Sequence, residues 1–459
     1  MTALRLVVVG GSDAGISAAL SAAEACPGAE VSVLLADAFP NYSICGLPFW
    51  LSGEVAHWRA LAHRSEADLI AGGMRLFPGQ RATAVLAGEK VVVARGPDGE
   101  TRFPYDRCIL ATGARSERPK AIAGLDAPGV FFLRFMDDGL ALEAYLRERA
   151  PKRAVIIGAG YIGLEMADAL TRRGLSVTLA GRARTLLKTV DPAFGAHIGA
   201  ALAAHGVRVA TGVSVDAVAP GADGLAVTGA DGFRATADLV LVAVGARPEA
   251  ALAASAGVAL GPTGAIAVGR DMATSLPDVF AAGDCVETWH RLLARPVYLP
   301  LGSTAHKQGQ VAGINAAGGR AQFAGTLGTQ VVKVFDLAVA RTGLLQAEAE
   351  AAGFDALTVQ TECLDHKGYY PGAQPCIIRV TGDRDSGRLL GAQILGHFQS
   401  QVAKRVDVFA TALFHGMRVE ELLQLDLSYT PPLGSPWDPV QRSAGDWSRE
   451  RDKPQGAIS

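Results

Sequence analysis

Aromatic residues, excess charge of either sign and paired cysteines are all scarce in this 459-residue chain. Aromatics make up 6% of it, and 43 Lys and Arg against 45 Asp and Glu leave a net charge of −2. That balance provides no basic face for a polyanion, so a nucleic-acid partner is not expected. No uncharged apolar run reaches the roughly 18 residues that a membrane helix requires, so no span is expected either. The apolar opening Leu4 to Val9 stops at Gly10-Gly11 with acidic Asp13 close behind, and reads as a first strand and not as a signal peptide. Cysteines at Cys26, Cys45, Cys108, Cys285, Cys363 and Cys376 form no Cys-x-x-Cys pair and no metal set beyond an isolated Cys363-x-x-His366. No disulfide framework and no metal are expected, and the cytoplasm is the expected location.

What is present is apolar residue and glycine: 49% hydrophobic residues and 54 glycines over a length that suits about three domains. Leu4 to Val9 runs into Gly10-Gly11-Ser12-Asp13-Ala14-Gly15 and an alanine-rich helix. A tight glycine turn between strand and helix lets a pyrophosphate sit against the N–H groups of the helix start. Ser12 occupies the middle glycine position, so this copy is imperfect. An acid for the ribose is expected at the end of the second strand, Val31 to Ala36, where Asp37 is the candidate. Arg153 to Ile157 followed by Gly158-Ala-Gly160-Tyr161-Ile162-Gly163-Leu-Glu165 gives a second, complete Gly-x-Gly-x-x-Gly in the context that confirms it. Two dinucleotide units in one chain imply two dinucleotides, the plan of a flavoprotein that takes hydride from a nicotinamide.

Other strand ends fit that plan. Cys108 to Leu110 exits through Ala111-Thr112-Gly113, and Leu239 to Val244 exits through Gly245. Val279 to Ala282 ends in Gly283-Asp284, an aspartate placed for a polyol, and Gly302-Ser303-Thr304-Ala305 opens a helix whose N-terminus faces a flavin ring. The expected organisation is α/β, with two Rossmann-like units, the second inserted in the first. A discontinuous first unit spans 1–114 and 246–321, and the inserted unit spans 115–245. An α+β unit without a glycine fingerprint spans 322–447, and a disordered tail is expected over 448–459.

Chemistry is expected in Asn41-Tyr-Ser43-Ile-Cys45-Gly-Leu-Pro-Phe-Trp50. Cys45 there leads into a turn and a helix start, whose N–H groups and dipole favour thiolate over thiol. The remaining cysteines, including Cys363 and Cys376 on either side of Tyr369-Tyr370-Pro-Gly372, read as packing residues.

With Cys45-Gly-Leu-Pro, Ala111-Thr-Gly, Gly158-Ala-Gly-Tyr-Ile-Gly-Leu-Glu, Ala282-Gly-Asp, His366-Lys-Gly-Tyr-Tyr-Pro-Gly, Tyr429-Thr-Pro-Pro and Trp437-Asp-Pro-Val in this order, residues 4 to 447 resemble the flavin disulfide oxidoreductases. The similarity is greatest to the single-cysteine branch of coenzyme A disulfide reductases, NADH oxidases and persulfide reductases. It implies FAD in the first unit, with Ser43 and Arg134 among its contacts, and a nicotinamide cofactor in the second, with Tyr161 and Glu165 lining its pocket. It further implies a homodimer in which Tyr429 and one of Tyr369 or Tyr370 approach the partner's Cys45, the sulfur that cycles between thiolate and mixed disulfide.

The chain departs from the family's pattern in several places. Gly181 stands where NADH-binding relatives carry an acid, and Arg182, Arg184 and Lys188 follow it, which predicts NADPH over NADH. The first helix, Gly15 to Glu24, carries no cation where relatives that use coenzyme A carry arginines, so a different small disulfide, persulfide or thiol adduct is expected. Asp13 stands where peroxidase-like relatives place a histidine. The family's ribose acid aligns with Leu35, which puts Asp37 out of register. The expected activity is NAD(P)H-dependent reduction of a small disulfide or persulfide through Cys45. The alternatives are an NAD(P)H oxidase working through a cysteine sulfenate, and a redox-sensing flavoprotein without turnover.

Overall fold

A computed structural model describes residues 3–453. Its first sheet is parallel throughout. β1 (Arg5–Val9) lies between β2 (Glu30–Leu34) and the strand Arg107–Leu110, with Met74–Phe77 beyond the one and Val279–Ala281 beyond the other. The second sheet repeats this order: β3 (Arg153–Ile157) lies between β4 (Ser176–Gly181) and Leu239–Val242, flanked by Arg208–Thr211 and Val130–Phe132. Both central strands are buried on their two faces after the leading arginine, which is why Leu6 to Val9 and Ala154 to Ile157 are unbroken apolar runs. Each unit also carries a three-stranded antiparallel sheet, Arg81 to Pro104 in one and Val215 to Ala237 in the other.

The chain leaves the first sheet and returns to it through a paired crossing, Ala114–Ser116 antiparallel to Ala246–Pro248. We take that crossing as the limit of the inserted unit. β2 ends at Leu34, short of the expected Ala36, and Leu35 is buried beyond it.

The third unit is a five-stranded antiparallel sheet in the order Gln330–Val334, Leu337–Gly343, Leu389–His397, Pro375–Asp383, Ala356–Leu364. Helices Val402–Phe414 and Pro439–Arg451 pack against it. The expected disordered tail from Ser448 is corrected here, because the last helix continues to Arg451. Asp438 caps its start, and fully buried Trp447 donates its indole N–H to Leu357 O at 2.9 Å, which holds the late turns on the sheet. The remainder of that tail, 454–459, lies outside the described residues. No helix among the described residues is long and apolar enough to cross a membrane.

Candidate active site

The two glycine turns are built alike. A Cβ on Gly15 would lie 1.9 Å from Gly10 O, and one on Gly163 would lie 1.9 Å from Gly158 O. A Cβ on Gly10 would meet Ala111 O at 2.1 Å, and one on Gly158 would meet Ala243 O at 2.2 Å. In both units the helix start therefore packs directly on the turn, and the turn on the adjacent strand end. A Cβ on Gly160 would meet nothing within 4 Å, which leaves space in front of the second helix start. That cradle fits a pyrophosphate.

The first cradle is completed by the helix Gly302–Ala316, which crosses α1 (Asp13–Ala25) at very short range. Gly309 and Gly313 face Ala14 O and Ala18 O, where added Cβ atoms would lie 2.2 and 2.1 Å away. This close crossing brings Gly302, Ser303, Thr304 and Ala305 to the first turn of α1, and Gly283, at positive φ, against Ala14. Asp284 pairs with Arg134, which also donates to Ala114 O at 3.3 Å. Thr112 Oγ1 donates to Glu249 O at 2.6 Å, and Gly113, at positive φ, turns the chain there toward the crossing.

Asp37 Oδ1 accepts from Phe39 N at 3.0 Å. Leu35, in the register of a ribose acid, packs over Gly11, where an added Cβ would lie 2.4 Å from Leu35 Cδ2. Leu35 offers no carboxylate in that register, and Asp37 lies two residues further along.

Cys45 sits in a short 3₁₀ turn, Ile44–Gly46, ahead of the six-residue helix Leu47–Ser52. Its side chain is solvent-accessible although protein groups crowd it. The expected preference for thiolate is corrected by these surroundings. Crowding desolvates the sulfur, Glu165, Asp13 and Asp284 add negative charge, and Arg134 alone opposes them, so the thiol is pushed up from its ordinary range. Those same four residues show where Cys45 lies, between the groups of the first cradle and the helix start of the second unit.

A cluster that the sequence did not reveal lies beside it. His306 Nε2 approaches Asp13 Oδ1 at 3.4 Å, His306 Nδ1 is 2.8 Å from Ser17 Oγ, and the His63 ring stands 6.3 Å from that of His306. Burial pushes the Asp13 carboxyl up against the pull of His306, His63 and Arg134. Asp13 and His306 are 293 positions apart, at the start of one helix and one turn into the other, so only the crossing of the two helices joins them.

On the second unit, Tyr161 and Glu165 lie on one face of the helix Tyr161–Arg172. The Tyr161 hydroxyl is 2.9 Å from Thr189 Oγ1 and donates to Gln330 of the third sheet. Glu165 is pushed up to about 7 by burial and by Asp168, against Lys333. Gly181 ends β4, where a Cβ would come within 3.1 Å of Ala159 Cβ. Arg182, Arg184 and Lys188 are exposed, and no ion pair involves them among the described residues. Gly245, at positive φ, closes the strand exit opposite.

The tyrosines lie on two joined loops of the third unit, tied where Lys367 N donates to Pro431 O at 3.4 Å. Tyr369 is 74% exposed, Tyr429 44% and Tyr370 43%, with Leu433 and Trp437 exposed beside them. Partial desolvation and the neighbouring Tyr369 hydroxyl push the Tyr429 phenol up, whereas Tyr370 packs edge-on to His366 at 5.8 Å. A cavity of about 410 Å³ opens beneath these loops, lined by His366, Gln374, His397, Gln399, Arg405 and Leu433.

Two nucleotide cradles with a single accessible thiol between them define an oxidoreductase that depends on FAD and a pyridine nucleotide. Residues 4–309 match the family described as pyridine nucleotide-disulphide oxidoreductase and residues 329–439 match its dimerisation domain, and the chain belongs to that family. A relative from Pyrococcus furiosus, named NAD(P)H sulfur oxidoreductase (CoA-dependent), is 33% identical over 439 residues, which cover 95% of this chain and 97% of the relative. Among solved structures, an NAD-dependent persulfide reductase from A. fulgidus superposes with a TM-score of 0.94 at 34% identity, covering 98% of this chain and 84% of that one. An engineered water-forming NADPH oxidase, made from the Lactobacillus brevis NADH oxidase, gives a TM-score of 0.92 at 26% identity, covering 98% and 99%.

Proposed function

We propose that this enzyme reduces the sulfur–sulfur bond of a small disulfide or persulfide through Cys45, as a homodimer that prefers NADPH. The observation that carries the reading is the position of the Cys45 thiol, within the influence of Asp13, Arg134 and Asp284 from the first cradle and Glu165 from the second. When bound, the flavin supplies a two-electron relay between nicotinamide and sulfur. Gly10 to Gly15, Gly283-Asp284 and the turn Gly302 to Ala305 hold it, and Gly158 to Gly163 hold the second dinucleotide.

Cys45, once deprotonated, attacks one sulfur of R–S–S–R. A Cys45–S–R bond forms, and R–S⁻ leaves with a proton. Two electrons and two protons then return Cys45 to the thiol and release the second R–SH. A persulfide R–S–SH uses the same two electrons and yields R–SH and hydrogen sulfide. Tyr429 and Tyr369 of the partner subunit are the proposed proton donors to the leaving sulfur. Tyr369 is assigned over Tyr370 because it lies beside Tyr429. Exposed Tyr369, Tyr370, Leu433 and Trp437 form the kind of apolar surface that a second subunit covers.

NADPH is favoured because Arg182, Arg184 and Lys188 are free to receive a 2′-phosphate and no acid stands at Gly181. The engineered oxidase points the same way, since its five named substitutions remove one aspartate and add two arginines in an enzyme bound to NADPH. Although the P. furiosus relative is named for coenzyme A, α1 has no basic residue in its last turn and ends near Glu24, so a less highly phosphorylated thiol is the proposed carrier. A kinetic panel of coenzyme A disulfide, glutathione disulfide, cystine, a persulfide and oxygen, each with NADPH and NADH, tests this. The expected result is a higher kcat/KM with NADPH and with a disulfide or persulfide other than that of coenzyme A. A clear NADH preference overturns the cofactor assignment, and coenzyme A disulfide outperforming the rest overturns the carrier. Oxygen uptake matching cofactor use without added disulfide would instead select the oxidase reading.

A further inference from the structure

Strand Ala356–Leu364 is an edge strand of the third sheet, paired antiparallel with Pro375–Asp383 so that Cys363 lies directly opposite Cys376. Opposed residues of an antiparallel pair have Cα atoms about 4.5–5.5 Å apart and side chains on the same face. A disulfide needs Cα atoms about 4.4–6.8 Å apart, so the backbone already meets its requirement. The Cys363 side chain leans across the ladder, its thiol donating to Cys376 O at 3.8 Å. Both thiols are free.

The two sulfurs differ in the way that an attacking and a resolving thiol differ. Cys363 is partly accessible, and the Cys376 thiol, with Arg442 and Arg405, draws it below the ordinary thiol range against the effect of burial. Cys376 is fully buried, and Cys363 and burial push it up. The shared face is the one covered by the last helix, where Thr361 Oγ1 donates to Asp446 at 2.6 Å. Asp438 and Arg442 occupy the start of that helix.

We propose that Cys363 and Cys376 are a reversible thiol pair that closes to a cross-strand disulfide when the enzyme meets a low-molecular-weight disulfide. The Cys363 thiolate attacks R–S–S–R, forming Cys363–S–R and releasing one R–S⁻. Cys376 then gives up its proton and displaces the second R–S⁻, so that one external disulfide is reduced to two thiols and one internal disulfide forms. The bond closes the neck of the loop that carries Tyr369 and Tyr370. That neck is otherwise held by Asp365 N donating to Gln374 O at 3.0 Å and Gln374 N donating to Asp365 Oδ1 at 2.9 Å. The pair is separate from Cys45 and does not depend on the reaction assigned to it.

The test uses the FAD-loaded enzyme with Cys45→Ser, so that the first reactive thiol is silent. It is treated with glutathione disulfide or cystamine, alkylated, digested with trypsin and analysed by mass without reduction. Lys367 lies between the two cysteines, so a linked pair of peptides reports the bond directly. The expected product is that pair, two hydrogens lighter than the sum of its parts. It is lost on reduction and absent from Cys363→Ser and from Cys376→Ala, the latter also serving should Cys376→Ser fold poorly. Alkylated cysteines only, or a mixed adduct on Cys363 that never closes, overturns the proposal. Because the readout is a mass, it stands or falls independently of turnover at Cys45.

Discussion

Burial, then Glu165, Asp13 and Asp284, push the Cys45 thiol up, with Arg134 alone against them. Glu165 has the largest effect of the three charges. Burial and Asp168 push its carboxyl up to about 7, from an ordinary value of 4.5. Between those values the folded chain binds more protons than the unfolded one, so this group's contribution to stability is intact below 4.5 and is lost as pH rises through 7. Glu165→Gln removes the buried charge. The variant is therefore expected to gain stability relative to the parent from pH 5 to 8, by up to about 3 kcal/mol, as read by denaturant unfolding. Iodoacetamide should also alkylate Cys45 faster in the variant at pH 8, because one of the charges opposing the thiolate is gone. Cys45→Ser is expected to lower disulfide-dependent NADPH oxidation at least about a hundredfold while leaving flavin content unchanged, measured by turnover and absorbance.

At the scale of elements, the flavin cradle depends on two helices lying closer than side chains allow. Gly309 and Gly313 face Ala14 O and Ala18 O one turn apart, so the crossing of α1 and Gly302–Ala316 is a backbone contact. Gly309→Ala puts a methyl 2.2 Å from Ala14 O, and the backbone must move to admit it. A cost of about 1–3 kcal/mol is expected, seen as flavin release at a lower temperature. Cys45→Ser should not show this shift. The separation also parts Asp13 from His306, so reactivity at Cys45 should change in Gly309→Ala even where FAD is retained, which alkylation kinetics would report.

For the whole molecule, the tyrosine loops and Cys45 are proposed to meet only across a dimer. Mixing Cys45→Ser subunits with Tyr429→Phe subunits should then restore activity above that of either parent, since one of the two sites in the mixed dimer is intact. Activity no greater than the average of the parents would mean that each site is complete within one chain. Leu433→Glu and Trp437→Glu are expected to shift the protein toward monomer in size-exclusion chromatography, because both residues are exposed and apolar.

Local chemistry made much of this legible. Gly158 to Gly163 could be read because a pyrophosphate turn demands glycine at fixed spacing. The buried central strands could be read because parallel sheets leave no polar face. The turns after Ser448 went unread because a charged outer face hides their anchor on the sheet, Trp447. Order of motifs and residue type thus determined the two cradles, the lone cysteine and the likeness to a family. Only the tertiary structure decided which charges surround Cys45, the meeting of Asp13 with His306 and the opposition of Cys363 to Cys376. Each of these depends on distances between elements far apart along the chain, which packing and strand register set and linear spacing does not encode.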